Sequence, residues 1–188
     1  QGKDAKAKTI QDDLDRAIKL DPNLADAYRQ RASYLLDQKE YDAALTDVSK
    51  LAEILPGDPW VPLLQSRIFF AQGDATQALE KARQANQLDI TLLPVYRTLA
   101  QAYLAVGQSK PALQAIDTYM RYTENQNDAI GWLVLGEARF KNNDNPGALV
   151  ALDKGLELAR GNADIYWYRG EIFLAMGQPQ DAINAFAD

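Results

Sequence analysis

Residues 93–126 read LPVYRTLAQAYLAVGQSKPALQAIDTYMRYTENQ. Within these 34 residues, bulky and small side chains alternate at helical spacing, and a glycine and a second small residue follow them. Written with numbers, the pattern is Tyr96-x-x-Leu99-Ala100-x-x-Tyr103, then Gly107, then Ala112-x-x-x-Ile116. Because the same pattern recurs before and after this segment, we predict that the chain is an array of one repeated unit.

The 34-residue period divides the whole chain. A partial unit covers 1–24, full units cover 25–58, 59–92, 93–126 and 129–162, and a truncated unit covers 163–188. Two columns of small residues stand twelve residues apart, and both slip by two residues at Asn127-Asp128. They hold Ala32, Ser66, Ala100, Gly136 and Gly170, and then Ala44, Ala78, Ala112, Ala148 and Ala182. The prediction is therefore a single array, covering 1–188, of about five and a half repeats.

The two small columns indicate helix crossings. Two helices approach closely only where both carry a small side chain at the contact. We therefore expect each unit to be a pair of antiparallel helices, with its bulky residues beside the crossing. No alternating strand pattern interrupts the units, so the predicted fold class is all-α.

Glycines and prolines fall where such helices should end and begin. Gly73, Gly107 and Gly177 stand between the two helices of their units, where a helix end favours a left-handed residue. Six prolines fall in predicted first turns, where the missing N–H has no helical partner to lose. Asp58, Ser109 and Asp144 precede three of these prolines and are candidate N-caps.

The composition excludes several classes of function. The chain contains neither cysteine nor histidine, so disulfides, thiol nucleophiles, Ser-His-Asp triads and Cys or His zinc sites are excluded. The net charge is −6 and no basic stripe is present, which disfavours a nucleic-acid partner. No apolar run is long enough for a membrane span. We predict no enzymatic activity, no cofactor and no metal.

The repeated pattern resembles the tetratricopeptide repeat, whose period is also 34 residues. The matching segments are Trp132-x-x-Leu135-Gly136, Tyr166-x-x-Arg169-Gly170-x-x-Phe173 and Ala17-Ile18-Lys19-Leu20-Asp21-Pro22. Pro62, Arg139, Arg31 and Arg169 depart from the pattern, and we expect the stems of Arg31 and Arg169 to pack while their heads reach solvent. The resemblance implies a right-handed superhelical solenoid in which the first helix of each pair lines a concave groove that binds peptides or protein segments.

In that geometry an apolar set of side chains would line the groove. It comprises Trp60, Leu63, Leu64, Phe70, Leu104, Leu133, Val134, Phe140, Trp167, Tyr168 and Leu174. These residues are interpreted either as the floor of a peptide site or as packing between neighbouring first helices. Trp60 and Trp167 are the best candidates for binding, because tryptophan is favoured at interfaces.

Charged residues on the same predicted surface are divided by sign. Arg29, Arg67 and Arg97 fall in three consecutive units, and Glu137, Asp164 and Glu171 fall in the last two. An arginine cluster suits a carboxylate, so the partner is predicted to be a peptide or protein with an acidic or carboxylate end. Ordinary surface charge or internal ion pairs would also explain these arginines. The carboxylate clamp of chaperone-binding family members is absent, since its places hold Arg29, Ser33, Leu64, Pro94 and Thr98.

The predicted function is a protein–protein interaction scaffold without catalysis. The alternative is a structural segment of a larger multidomain chain, whose groove is filled internally or by self-association. In this register the chain starts and stops inside repeats, so some of Ile10, Leu14 and Ile18 should be uncovered, and the last helix, which breaks off at Ala185-Phe186, should fray. We therefore also expect end-to-end self-association. The sequence selects no compartment.

Overall fold

A computed structural model describes residues 2–187, and this part of the chain contains eleven α-helices, one short 3₁₀ helix and no strand. The α-helices are α1 Gly2–Leu20, α2 Ala25–Asp37, α3 Tyr41–Ile54, α4 Trp60–Ala71, α5 Ala75–Leu88, α6 Pro94–Ala105, α7 Ser109–Met120, α8 Ala129–Lys141, α9 Asn145–Leu158, α10 Ala163–Ala175 and α11 Pro179–Ala187. The 3₁₀ helix is Thr123–Asn127. The all-α prediction is confirmed.

The helices form two compact units, Gln1–Leu92 and Leu93–Asp188, which we call unit 1 and unit 2. Unit 1 contains α1 to α5, and unit 2 contains α6 to α11. The first helices of the predicted repeats are α2 and α4 in unit 1, and α6, α8 and α10 in unit 2. Each first helix packs against the helix that follows it, as the repeat pattern predicts. The description of 1–188 as a single array stays a prediction.

The two small columns lie at the helix crossings. Every member of both columns is buried, and the five alanines of the second column are at most 1% exposed. Gly136 shows how close the approach is, since a Cβ added there would lie 2.5 Å from Leu152 Cδ2. Ser66 keeps a polar group at its crossing by donating its hydroxyl to the Ala78 carbonyl at 2.7 Å. The spacing argument for the columns is therefore confirmed.

The turns between paired helices use a left-handed residue throughout. Gly73, Gly107 and Gly177 have φ of 85°, 76° and 73°. The two remaining turns use non-glycine residues, Lys39 at 64° and Asn143 at 65°. Of the candidate caps, Asp144 accepts the Gly147 N–H at 2.9 Å. Asp58 accepts the Trp60 N–H at the start of α4. The prediction for Ser109 is wrong: α7 begins at this residue, and no side chain caps that helix.

An aromatic residue near the start of three first helices ties the helix to the preceding loop. Tyr28 donates its hydroxyl to the Pro22 carbonyl at 3.2 Å, Trp132 donates its indole N–H to Gln126 at 2.9 Å, and Tyr166 donates to Arg160 at 2.9 Å. In each case the acceptor lies six residues earlier. The polar tip of the aromatic side chain therefore fastens the start of the helix to the segment that precedes it.

The two-residue slip at 127–128 places an aspartate where three donors meet. One oxygen of Asp128 caps α8 through the Ile130 N–H at 3.0 Å. The other accepts Arg97 Nη1 at 2.7 Å and the Tyr119 hydroxyl at 2.9 Å. The extra residues thus join α6, α7 and α8 through one carboxylate.

Arg31 and Arg169 occupy equivalent places in the repeat. Their heads were expected to extend into solvent, but both bind carboxylates of second helices instead. Arg31 binds Asp47 through Nε and Nη2, both at 2.7 Å, and Asp15 through Nη1 at 2.7 Å. Arg169 Nε lies 3.3 Å from Asp153, which is the repeat equivalent of Asp15. The bidentate bond to the buried Asp47 carboxylate is the main reason that the pKa of Arg31 is raised.

Candidate functional site

The predicted binding residues lie on the first helices, and each unit has its own set. In unit 1, α2 contacts α4; in unit 2, α8 contacts both α6 and α10. Neighbouring first helices therefore lie side by side within a unit. Residues three, four and seven positions apart share one face of each helix, so these helices present adjacent stripes.

In unit 1, two of the predicted site residues contact each other. The Arg29 guanidinium lies over the Trp60 ring, with Cζ 5.0 Å from the ring centroid. Arg29 also binds Asp26 within α2. Trp60 is partly buried by these contacts, whereas Phe70 at the other end of α4 is 39% exposed. Phe70 is therefore the exposed aromatic side chain of α4, and Trp60 is accessible only in part.

Leu63 and Leu64 require a correction. Both side chains are fully buried at 0% exposure, and Leu64 belongs to the core cluster that contains Tyr28, Leu36 and Ile68. Side chains that water cannot reach have no surface to offer a ligand in this conformation. For these two residues, packing between helices is the correct interpretation, and Val134 at 4% exposure is a third such case.

The arginines predicted to receive a carboxylate are engaged within the chain. Arg97 is bound to Asp128 and also lies over the Tyr119 ring, with Cζ 5.9 Å from the ring centroid. Its side chain is 24% exposed. Arg67 is partly buried and also interacts with other groups of the protein. Arg97 is in unit 2, whereas Arg29 and Arg67 are in unit 1.

In unit 2, α8 and α10 each carry a stripe of four equivalent positions, and the last three of these positions hold side chains of the same kind on both helices. The α8 stripe is Ile130, Leu133, Glu137 and Phe140, and the α10 stripe is Asp164, Trp167, Glu171 and Leu174. Ile130, Trp167 and Leu174 are 46%, 50% and 51% exposed, whereas Leu133 and Phe140 are partly buried. We call these eight residues the α8/α10 surface.

Trp167 is held in place by its neighbour. Its ring meets the Tyr168 ring edge to face, with the centroids 4.8 Å apart. Tyr168 in turn is hydrogen-bonded to Glu137. Burial raises the pKa of Tyr168 above its ordinary value, and the hydrogen bond to the carboxylate acts in the same direction. Tyr168 therefore remains a neutral donor that links α10 to α8.

One accessible residue of this surface was missed by the sequence analysis. Ile130 occupies the place in its repeat that Trp60 and Asp164 occupy in theirs, and it is nearly half exposed. The repeat register alone could have identified it. Within residues 2–187, no group of three or more Asp, Glu, His or Cys is arranged to hold a metal ion. None of the described helices has both the length and the apolar character that crossing a membrane requires.

Comparison with known proteins supports the repeat assignment. A sequence model of the tetratricopeptide repeat (TPR) matches residues 11–59, 97–163 and 133–188. The chain is similar to the beta-barrel assembly-enhancing protease of Escherichia coli strain K12, with 31% identity over 131 residues. That similarity covers 69% of this chain and 26% of the protease, so the chain spans about a quarter of the length of this curated relative.

Two solved structures show the same fold at low identity. A chain of the Cut9–Hcn1 hetero-tetramer of APC/C is similar to 92% of this chain over 34% of its own length, with a TM-score of 0.84 and 18% identity. YrrB, a TPR protein with an unusual peptide-binding site, matches 92% of this chain and 88% of its own, with a TM-score of 0.65 and 17% identity. Because the family pattern matches well over half of the sequence, the chain belongs to the tetratricopeptide repeat family.

Proposed function

We propose that this chain is a non-catalytic scaffold that binds a peptide or protein segment on the exposed faces of its first helices. Members of the family act as protein-interaction scaffolds. YrrB, which has the same fold, has a peptide-binding site. The whole-chain activity of the E. coli protease is not carried over, because the similarity covers a quarter of that protein.

The exposure of Trp167 is the observation that carries the proposal. Trp167 is half exposed and held by Tyr168, and the half-exposed Leu174 follows it two stripe positions further on, so this apolar surface is costly to keep in water. Tryptophan is also enriched among the residues that dominate binding energy. In unit 1, the exposed Phe70 and the partly buried Trp60 add aromatic surface at the two ends of α4.

The acidic or carboxylate end of the partner is a separate prediction. Arg29 and Arg97 already bind Asp26 and Asp128, so an incoming carboxylate would have to compete with them. The apolar part of the proposal does not depend on that competition. The scaffold function therefore rests on the aromatic residues.

Selection from a peptide library tests this function. A phage-displayed library of random peptides is selected against the immobilised 188-residue chain, and enriched peptides are titrated against purified variants. We expect Trp167→Ala or Trp60→Ala to weaken binding at least tenfold, about 1.4 kcal/mol, at low and high salt alike. Val150→Ala is the control, because Val150 is 60% exposed on the second helix α9.

Circular dichroism of each variant shows whether the helices are intact. If no peptide is enriched, or if both tryptophan variants bind the enriched peptides as tightly as the unmodified chain does, the first helices are not the binding surface and the proposal is wrong.

A further inference from the structure

We propose that the α8/α10 surface of unit 2 binds a segment in which a lysine or arginine lies between two apolar side chains. The cation would lie against Glu137 and Glu171, and the apolar side chains against the exposed Ile130, Trp167 and Leu174. This inference rests on the scaffold function proposed above and specifies the chemistry of the partner. It differs from the acidic partner that the arginines suggested.

The first argument is the repeated order of side chains. Glu137 follows Leu133 and precedes Phe140, and Glu171 follows Trp167 and precedes Leu174, at identical spacing. The two glutamates are equivalent in the repeat and lie on helices in contact, so they project from the same level of adjacent stripes. Each carboxylate is thus flanked along its own helix by apolar side chains.

The second argument is that the neighbouring arginines are engaged elsewhere. The arginines of α8 and α10 point to second helices: Arg139 donates to the Gly147 carbonyl at 3.0 Å, and Arg169 lies 3.3 Å from Asp153. Among the described residues, Glu137, Asp164 and Glu171 form no ion pair, and Glu137 has the Tyr168 hydroxyl as its partner. Lys141 adds one positive charge beside this set, with Nζ 5.9 Å from the Phe140 ring centroid.

The third argument is electrostatic. Three carboxylates and one lysine leave this surface with an excess of negative charge, and the apolar floor between them lowers the local dielectric. A basic segment would therefore be attracted to the surface, whereas an acidic segment would be repelled. The apolar anchors would supply affinity and the carboxylates would select the partner.

The test uses two matched sets of synthetic peptides of about ten residues, which span roughly 33 Å when extended. In the first set, one lysine or arginine stands between two leucine or phenylalanine residues, two to four positions from each. The second set has glutamate in place of the base. Each fluorescein-labelled peptide is titrated against the full 188-residue chain by fluorescence anisotropy.

We expect at least one basic peptide to bind at least tenfold more tightly than its glutamate counterpart. Its affinity should fall as salt is added, because exposed charges are screened. Glu137→Gln with Glu171→Gln should weaken this peptide at least tenfold. Glutamine retains an acceptor for Tyr168, so the link between α8 and α10 is preserved. Glu171→Gln alone should also weaken binding, because within residues 2–187 the Glu171 side chain holds no hydrogen bond or ion pair that the change would break.

The matched control is Asp12→Asn with Asp13→Asn. Both carboxylates are exposed on α1 in unit 1, and this variant changes the net charge by the same amount. We expect it to leave the affinity unchanged.

The outcomes separate this inference from the scaffold function. If glutamate peptides bind as tightly as basic ones, or the two glutamine variants keep full affinity, the inference is wrong. The scaffold function still stands in that case, provided that Trp167→Ala weakens the peptides that bind. If neither set binds and the phage selection also yields nothing, both proposals are wrong.

Discussion

At the residue scale, the aromatic column of the repeat does more than fill space. The spacing predicted correctly that Tyr28, Trp132 and Tyr166 recur at one place in the helix pair. It did not predict that each would bond a carbonyl six residues earlier, because that bond depends on the path of the loop. Buried tyrosine and tryptophan side chains need a partner for their polar tips, and the loop carbonyl supplies one. Pro62 holds this place in one unit and has no donor to offer.

Tyr28→Phe tests this hydrogen bond, because it removes the hydroxyl and keeps the ring. The Tyr28 ring is 7% exposed in the core of unit 1. Without the hydroxyl, the Pro22 carbonyl loses its donor, so we expect the free energy of unfolding to fall by about 0.5–1.5 kcal/mol. Tyr34→Phe on the same helix is the control. Urea denaturation followed by circular dichroism measures both, and an equal loss for the two variants would contradict the assigned bond.

At the element scale, the helix crossings are the part of the fold that the sequence predicts best. Two small residues twelve positions apart must both lie at the contact, and their burial follows from close packing. The ends of the helices were less predictable. The Ser109 cap failed because α7 starts at that residue, and the left-handed turns at Lys39 and Asn143 lack the glycine that identified the others. Local backbone preference can be overridden wherever the packed helices fix the turn.

Overpacking a crossing tests this account of the helix pairs. Ala148 is fully buried between α8 and α9, so Ala148→Leu should force the helices apart and cost about 1–3 kcal/mol. Ala112→Leu should have a similar cost between α6 and α7. Gln114→Leu inserts the same side chain on the exposed face of α7 and should cost little. Thermal denaturation compares the three, and equal shifts for buried and exposed positions would mean that the repeat register is wrong.

At the scale of the whole molecule, the sequence predicted the fold class and the positions of the helix pairs but only part of the site. The stripe positions as a binding surface stay a prediction, because a stripe at helical spacing cannot tell a half-exposed Trp167 from a fully buried Leu64. Exposure depends on how neighbouring first helices pack. Likewise, the charges of Arg29 and Arg97 were visible in the sequence, whereas their bonds to Asp26 and Asp128 were not. The prediction of an acidic partner came from the arginines alone, whereas the proposal of a basic partner comes from Glu137 and Glu171.

Apolar side chains are also exposed on the helices α1 and α11. Ile10 on α1 is 44% exposed, and Ile183 and Phe186 on α11 are 60% and 46% exposed. Phe186 also packs toward Gly170, because its ring occupies the space where a Cβ on that glycine would lie. Ile183 is therefore the residue of α11 that offers the most apolar surface without supporting the helix pair, and we predict that a second copy of the chain covers it at high concentration.

Ile183→Asp tests that contact, since it places a charge in the expected interface and should keep the chain monomeric where the unmodified chain associates. Val150→Asp is a matched control, because Val150 on α9 is equally exposed at 60% and its change should leave association unchanged. Sedimentation equilibrium over a concentration series up to the millimolar range measures both variants. An unmodified chain that stays monomeric throughout would contradict the prediction. Equal loss of association in the two variants would mean that general charge repulsion, and not a contact on α11, controls the equilibrium.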